Sequence, residues 1–372
     1  MTSTRDRTGP ALDAARRPSG APLDREDLRR RVSEQLDLFL ERQDARLVSV
    51  GYEVGELVLS LRELLGGGKR LRPAFGYWGW RGVGMPDDDR MVAAAASLEL
   101  FQACAIIHDD VMDRSDTRRG KPAAHRRFEW LHRSAGWRGD DEMFGTGAAI
   151  LLGDLCLAWT DEMFFGCGLE QERLLRARPL FDEMRTELMG GQYLDLLEQA
   201  MGGGSVPRAR RVIHYKSARY SVLRPLQLGA TLAGADRSVL AAYEAFGMPL
   251  GEAFQLRDDL LGVFGDPAVT GKPAGDDLRE GKRTVLVALA GQRGSAAQAR
   301  VVDRHLGDPE LDLAGVQRLR EVIVASGALA EVERMIAHCT EQAFAALDAA
   351  VLDPEADVVL RELATAATSR RV

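Results

Sequence analysis

Two apolar runs in this chain end in the same way, and that shared ending constrains the fold more than any other feature. Ala103-Cys104-Ala105-Ile106-Ile107 leads directly into His108-Asp109-Asp110-Val111-Met112-Asp113, and a second run leads through Phe254 and Gln255 into Asp258-Asp259-Leu260-Leu261-Gly262. An apolar run that ends in clustered charge reads as a buried helix emerging from a core. If the first helix continues through its acidic box, Asp109 and Asp113 are four residues apart and share a face. Two carboxylates so placed repel unless something positive sits between them. A hard divalent cation such as Mg2+, held by one or two carboxylates with its other positions left to water and phosphate oxygens, suits that spacing. The arginine pair Arg118-Arg119 would suit the same phosphate, because guanidinium groups bind phosphate in a bidentate fork. A solvated helix end laced with salt bridges is the competing reading of either stretch. The recurrence weighs against it, since two unrelated helix ends need not share one layout.

The rest of the sequence carries helical spacing almost throughout. Asp24 is placed to cap a helix bearing Leu28, Val32, Leu36, Phe39 and Leu40, and a second helix with Val54, Leu57, Val58, Leu61 and Leu65 ends at Gly66-Gly67-Gly68. Lys69-Arg70-Leu71-Arg72 follows at once, so backbone free to approach a ligand stands beside fixed cations. An Ala-rich helix from Met91 runs through Gln102 into the first box, and Trp130 to Gly145 reads as a loop. Thr146 to Phe165 and Glu172 to Met201 read as helices, the second holding Gln192 and Asp195 one turn apart. Tyr215-Lys216-Ser217 lies in another helix, and amphipathic helices close the chain. Strand-like alternation is almost absent, and the expected class is all-α.

Composition narrows the function. The chain has 372 residues and a net charge of -7, which argues against nucleic acid as a partner, so an enzyme of this charge that handles phosphates must gather its cations locally. Cys104, Cys156, Cys167 and Cys339 lack CxxC spacing, and a reducing cytoplasm is the expected setting. No apolar run in the sequence is expected to span a membrane, and residues 1–22 are expected to form a disordered tail ahead of one helical domain, 23–372.

The motifs GGKRLRP (67–73), DDVMD (109–113), TRRGKPAAH (117–125), GD (153–154), GQYLD (191–195), KS (216–217) and FQLRDDLLG (254–262) occur in the order seen in the trans-type isoprenyl diphosphate synthases, or polyprenyl synthetases, and the chain resembles that family. The resemblance implies a single helical bundle around a deep apolar cavity, usually as a homodimer, most like a geranylgeranyl diphosphate synthase. It implies a prenyltransferase that joins isopentenyl diphosphate to allylic diphosphates by ionisation, attack of the isopentenyl double bond and proton loss. Three Mg2+ ions would be held by Asp109, Asp113 and Asp258, with Asp110 and Asp259 beside them. Arg118, Lys216, Lys272 and Lys282 would hold the allylic diphosphate; Lys69, Arg72 and Arg119, with Gln102, the isopentenyl one. Gln192 and Asp195 would line or brace the mouth. Lys216, Ser217 and Gln255 form the implied catalytic set, the last two directing oxygen atoms at the carbocation, while His108 is read as structural.

Three departures bear on this expectation. Gln102 stands where His is frequent, Ser217 stands where Thr is commoner, and Gly262 replaces the last aspartate of the second box; activity is expected to persist because the third metal is assigned mainly to Asp258, with Asp266 and Asp276 as the candidates for compensation. In the family the growing tail runs beside the first-box helix. Cys104 and Ala105 are small, so Phe101, about 12 Å up the helix axis from Asp109, is the expected floor and a C20 product is expected. Farnesyl or longer products remain open, and Phe101 would serve equally well as plain core. A class I terpene cyclase should carry an Asn-Asp-x-x-Ser-x-x-x-Glu box, which the sequence lacks. An HD-type phosphohydrolase needs further histidines near His108. A non-catalytic regulatory subunit would be expected to lose the carboxylates and lysines retained here.

Overall fold

The computed structural model describes residues 22–266 and 275–369. Residues 1–21 of the expected tail and Lys272 lie outside the described residues. The chain forms α1 (Leu28–Val48), α2 (Gly55–Leu65), α3 (Leu71–Arg81), α4 (Asp89–Met112), α5 (Ala124–Ser134), α6 (Asp141–Phe165), α7 (Gln171–Met201) and α8 (Val206–Val212). A π-helix (Ile213–Leu223), α9 (Arg224–Ala233) and α10 (Arg237–Phe264) follow. The remainder is α11 (Asp276–Arg279), α12 (Val285–Arg293), α13 (Ala296–His305), α14 (Leu313–Ala325), α15 (Ala328–Asp348) and α16 (Pro354–Thr368). Among the described residues the only sheet is a hairpin of two two-residue strands, β1 (Thr117–Arg118) and β2 (Lys121–Pro122), so the class is all-α.

Three expectations are corrected. The first α-helix starts at Leu28 after a 3-10 turn, Pro22–Asp27, so its N-cap position is Asp27. The stretch 130–145 is mostly helical: α5 runs to Ser134, and Asp140 caps α6 by accepting from the Met143 N–H at 3.0 Å. The Trp and Gly residues there mask the helical period, which is why the sequence reads as a loop. Finally, α4 and α6 are each long and apolar enough, by length and composition, to cross a bilayer. In α4 most of that apolar stretch is buried inside the bundle, whereas α6 leaves much of its own exposed.

Helix α4 is central, packing against α1, α3, α6 and α9. Its approach to α6 requires Gly153, where a Cβ would lie 2.1 Å from His108 Nε2. His108 fills that space, its Nε2 3.2 Å from the Ile150 carbonyl oxygen. Among the described residues the buried apolar side chains form two cores, and α10 joins them. Tyr243, Phe246 and Leu250 belong to the larger, built largely on α1 to α7, while Ala253, Leu256, Leu260 and Val263 belong to the smaller, built on α12 to α15. The second acidic box is thereby fixed at the seam between the two cores, on the same helix that packs against the π-helix.

Candidate active site

Helix α4 stops at Met112 and Asp113 is its C-cap, still in right-handed helical conformation with its N–H bonded to the Asp109 carbonyl at 2.8 Å. The shared face expected of Asp109 and Asp113 is therefore kept to the last possible residue. The hairpin that follows turns at Arg119 and Gly120, both with positive φ (54° and 73°), as a tight two-residue hairpin turn demands. It points its two arginines at different partners. Arg118 donates to Asp110, with Nε 2.9 Å from Oδ1. Asp110, expected beside the metal, is 2% exposed and braces this arginine. Arg119 donates from Nη1 to the carbonyls of Leu64 (2.9 Å) and Gly67 (2.8 Å), and a Cβ at Gly68 would crowd its Nη2 at 3.1 Å. The glycine run thus admits a guanidinium group. A cavity of about 460 Å³ opens beside it, between α2, α4 and α5, and both Arg118 and Arg119 line it.

Opposite α4 stand α7 and the π-helix. They approach so closely at Gly191 that a Cβ there would lie 2.4 Å from the Lys216 backbone nitrogen. That contact sets Lys216 over the first box: Nζ lies 2.8 Å from Asp109 Oδ1 and 2.6 Å from Asp195 Oδ2. Gln192 Nε2 donates to the same Asp109 oxygen at 2.8 Å. Four residues from α4, α7 and the π-helix are thus joined in one hydrogen-bonded group. The wider turn of the π-helix, a form that recurs at functional sites, also brings two successive residues onto Arg72. Arg72 Nη2 lies 2.6 Å from the Tyr220 hydroxyl and 2.7 Å from Ser221 Oγ, with the guanidinium 4.3 Å from the Tyr220 ring centroid. Lys69 is exposed between α2 and α3, Gln102 lies two turns before Asp109 on the same face of α4, and Ser217 is half-buried beside Lys216.

From α10, Asp258 is half-buried, and Asp259 is buried and accepts from Gln255 Nε2 at 2.8 Å, so the Gln255 amide is engaged with the box itself. Burial pushes the Asp259 carboxyl up to about 7, with the Asp277 and Asp258 charges adding to it. Lys282 reaches back across this gap, 2.7 Å from Glu280 Oε2, 3.4 Å from Asp277 Oδ1 and 3.8 Å from Asp113 Oδ2. Ser115 donates to Glu280 Oε1 at 2.8 Å and ties the end of the first box to the segment after the second. Ser115, Asp277 and Glu280 were not singled out from sequence. Their one signal is that Asp277 and Glu280 lie within five residues of Lys282.

The charges divide unevenly between the two first-box aspartates. Burial raises Asp109, but Lys216, Lys282 and Arg118 outweigh it and hold the carboxylate well below its usual range. Asp113 goes the other way: burial and then the Asp109 charge push it up to about 6. Its side chain is 1% exposed and neither carboxylate oxygen has a hydrogen-bond partner. A buried carboxylate without a partner is costly unless a cation compensates it. The Lys282 ammonium at 3.8 Å makes no hydrogen bond to it, and a divalent cation would satisfy the group. Among the described residues no three His, Cys, Asp or Glu side chains converge on one point, and this donor set fits Mg2+, which takes one or two carboxylates and completes its shell with water and phosphate oxygens.

The three residues expected to measure a tail separate. Ala105 lies on the Asp109 side of α4. Phe101, 1% exposed, meets the Tyr220 ring edge-on with centroids 6.1 Å apart. Cys104 is buried, with its Sγ 3.7 Å from Nδ1 of His108 one turn on in α4.

A polyprenyl synthetase family model matches residues 56–323. A geranylfarnesyl diphosphate synthase of Aeropyrum pernix is 33% identical over 76% of this chain and 84% of its own length. A (2E,6E)-farnesyl diphosphate synthase of Mycobacterium bovis is 32% identical over 63% of this chain, which spans only 60% of that relative. Among solved structures, a geranylgeranyl pyrophosphate synthase of Corynebacterium glutamicum, complexed with isoprenyl diphosphate and magnesium, superimposes with a TM-score of 0.89 at 42% identity, covering 95% of this chain and all of that one.

Proposed function

The chain belongs to the polyprenyl synthetase family and is a prenyltransferase acting on isoprenoid diphosphates, and from that premise we propose that it is a Mg2+-dependent geranylgeranyl diphosphate (C20) synthase that extends C5 to C15 allylic diphosphates with isopentenyl diphosphate. The observation that carries the site assignment is the joining of Asp109, Gln192, Lys216 and Asp195 across three helices beside the buried Asp113 carboxylate, which has no hydrogen-bond partner. The reaction breaks an allylic carbon–oxygen bond, so the enzyme must above all stabilise departing pyrophosphate. Mg2+ held by Asp109, Asp113 and Asp258 would supply positive charge to those oxygens without proton transfer.

The chain's own cations do the rest. Lys216 and Lys282 stand at the carboxylates with their charge fixed: burial lowers both, but the surrounding aspartates and, for Lys282, Glu280 overcome it and hold them protonated. Arg118, pinned by Asp110, is oriented before substrate arrives, so it costs no reorganisation during ionisation. Arg72 and Arg119, also pre-held, with Lys69 and Gln102, serve the isopentenyl diphosphate. Ser217 and Gln255 turn oxygen atoms toward the allylic cation. The isopentenyl double bond attacks that cation to form the new carbon–carbon bond, and the tertiary cation so formed loses a proton to the departed pyrophosphate, so no side-chain base is needed, while the apolar wall of α4 keeps water from capturing either cation. The exposed apolar residues Ile150 and Leu151 leave part of α6 uncovered, which is in keeping with a homodimer.

Incubating the purified protein with Mg2+, isopentenyl diphosphate and each of the C5, C10 and C15 allylic diphosphates should yield a C20 product. No condensation with any primer would overturn the reading. Product length has its own check. Phe101→Ala removes the ring that meets Tyr220, and the main product should become at least one five-carbon unit longer by chromatography. Unchanged lengths would return Phe101 to the core.

A further inference from the structure

We propose that the cavity behind the β1–β2 hairpin is a second diphosphate-binding site, and that its occupant regulates the first. The cavity lies between α2, α4 and α5 and measures about 460 Å³, within the usual range for a small-molecule site. Helix α4 lines it with Asp110 and Ile107, which stand about 100° and about 160° round the helix axis from Asp109. It is thus on another side of α4 from the site described above. Of the described residues assigned to substrate, Arg118 and Arg119 alone line it, so a ligand there touches both. The regulatory half of the proposal rests on the prenyl-transfer reading; the site itself rests on the lining.

That lining is unbalanced in charge. Five cations, Arg62, Arg118, Arg119, Lys121 and Arg127, stand against two carboxylates, Asp110 and Glu63, in a chain of net charge -7. Both carboxylates are already taken, Asp110 by Arg118 and Glu63 by Arg127 at 2.8 Å. Lys121 is exposed and makes no hydrogen bond or ion pair among the described residues. Arg119 donates to the carbonyls of Leu64 and Gly67 and to no carboxylate among the described residues. Though exposed, it is crowded: desolvation, backed by the Arg70, Arg118 and Arg72 charges against that of Glu99, pushes its guanidinium below the ordinary value. Cations so placed gain from an anion. A phosphate group takes a guanidinium bidentately and an ammonium as a point charge, and so suits this pair. Leu59, Leu64, Ile107 and Leu152 also line the cavity and give a hydrocarbon group a place beside the diphosphate. Both products of the reaction, pyrophosphate and a prenyl diphosphate, carry the group. The Leu64 and Gly67 carbonyls that hold Arg119 belong to the same lining. A diphosphate that draws Arg119 into the cavity takes it from isopentenyl diphosphate too, so occupancy slows turnover without competing for the substrate's place.

The test uses the full-length protein with divalent metal chelated. Isothermal titration calorimetry with inorganic pyrophosphate, and separately with geranyl diphosphate, counts the diphosphates bound per chain. The double variant Lys121→Gln with Arg62→Gln neutralises two lining cations that have no part in catalysis, and a thermal melt reports its folding. The parent should bind one more diphosphate per chain than the double variant, or bind it at least about tenfold more tightly. In Mg2+, kcat and KM should match between the two. With both substrates saturating, added ligand should slow the parent and leave the double variant at full rate. Tighter binding of geranyl diphosphate than of pyrophosphate, lost in Leu59→Trp, would name a prenyl diphosphate as the occupant, and equal binding of the two would name pyrophosphate; either supports the site. Equal stoichiometry and affinity in the parent and the double variant, for both ligands, would overturn the proposal. An extra site whose occupancy leaves turnover unchanged would overturn the regulation. If the parent condenses no primer yet binds the extra diphosphate, the prenyl-transfer reading fails and the site stands; if it condenses normally and lacks the extra site, this proposal alone fails.

Discussion

Asp109→Ala is expected to reduce kcat for condensation by at least about a thousandfold, the scale on which a single preorganised electrostatic contact acts in a reaction that develops charge. One oxygen of this carboxylate receives both Lys216 and Gln192, so its removal takes away a metal ligand and frees two groups from their positions at once. The fold should survive. Lys216 keeps Asp195, so the variant leaves no unpaired ammonium in the interior, and the methyl group of alanine suits the last turn of α4. Circular dichroism and a thermal melt would establish the fold, and single-turnover product formation the chemistry. Asp109→Asn refines the result: it keeps the shape and the Gln192 contact but loses the charge, and it should be nearly as inactive. Full activity in either variant would remove the first box from the mechanism.

The sequence made the helices, their order and the two acidic boxes legible, because apolar spacing and charge at helix ends are local signals. It also indicated which cations belong nearby, through Lys69-Arg70-Leu71-Arg72, Arg118-Arg119 and Lys216. What it did not reveal depends on contacts between distant residues. Arg70 reads like its neighbours in sequence, yet it is buried against Glu99 at 2.6 Å and serves the core. Asp110 reads like a third metal carboxylate, but a hairpin eight residues later brings Arg118 back onto it. The π-helix has no signature in apolar spacing over Ile213–Leu223, although it decides that Tyr220 and Ser221 both meet Arg72. The glycines are the sharpest case. GQ and GD were visible as motifs, but that Gly153 makes room for His108 and Gly191 for the Lys216 backbone appears only when the partner helix is in place.

The second large effect follows from that last contact. Gly191→Ala should cost about 1–3 kcal/mol of stability, the usual range for overpacking a closely fitted interior. It should also lower kcat about a hundredfold, since a displacement of roughly 1 Å in a positioned group has that consequence. The reason is what the new methyl group would meet: the Lys216 nitrogen at 2.4 Å, the Tyr215 carbonyl carbon at 2.5 Å and the Lys216 Cα at 2.8 Å. These are backbone atoms, which cannot swing aside as the tip of a side chain can, so α7 and the π-helix must separate. Lys216 would move with its helix and lose register with Asp109 and Asp195 together. The neighbouring Gly190→Ala is the internal control. Nothing lies within 4 Å of a Cβ there, and alanine is the better helix former by about 1 kcal/mol. That variant should melt slightly higher and keep its kcat. Equal kcat values in the two variants would mean that the placement of Lys216 does not limit the reaction.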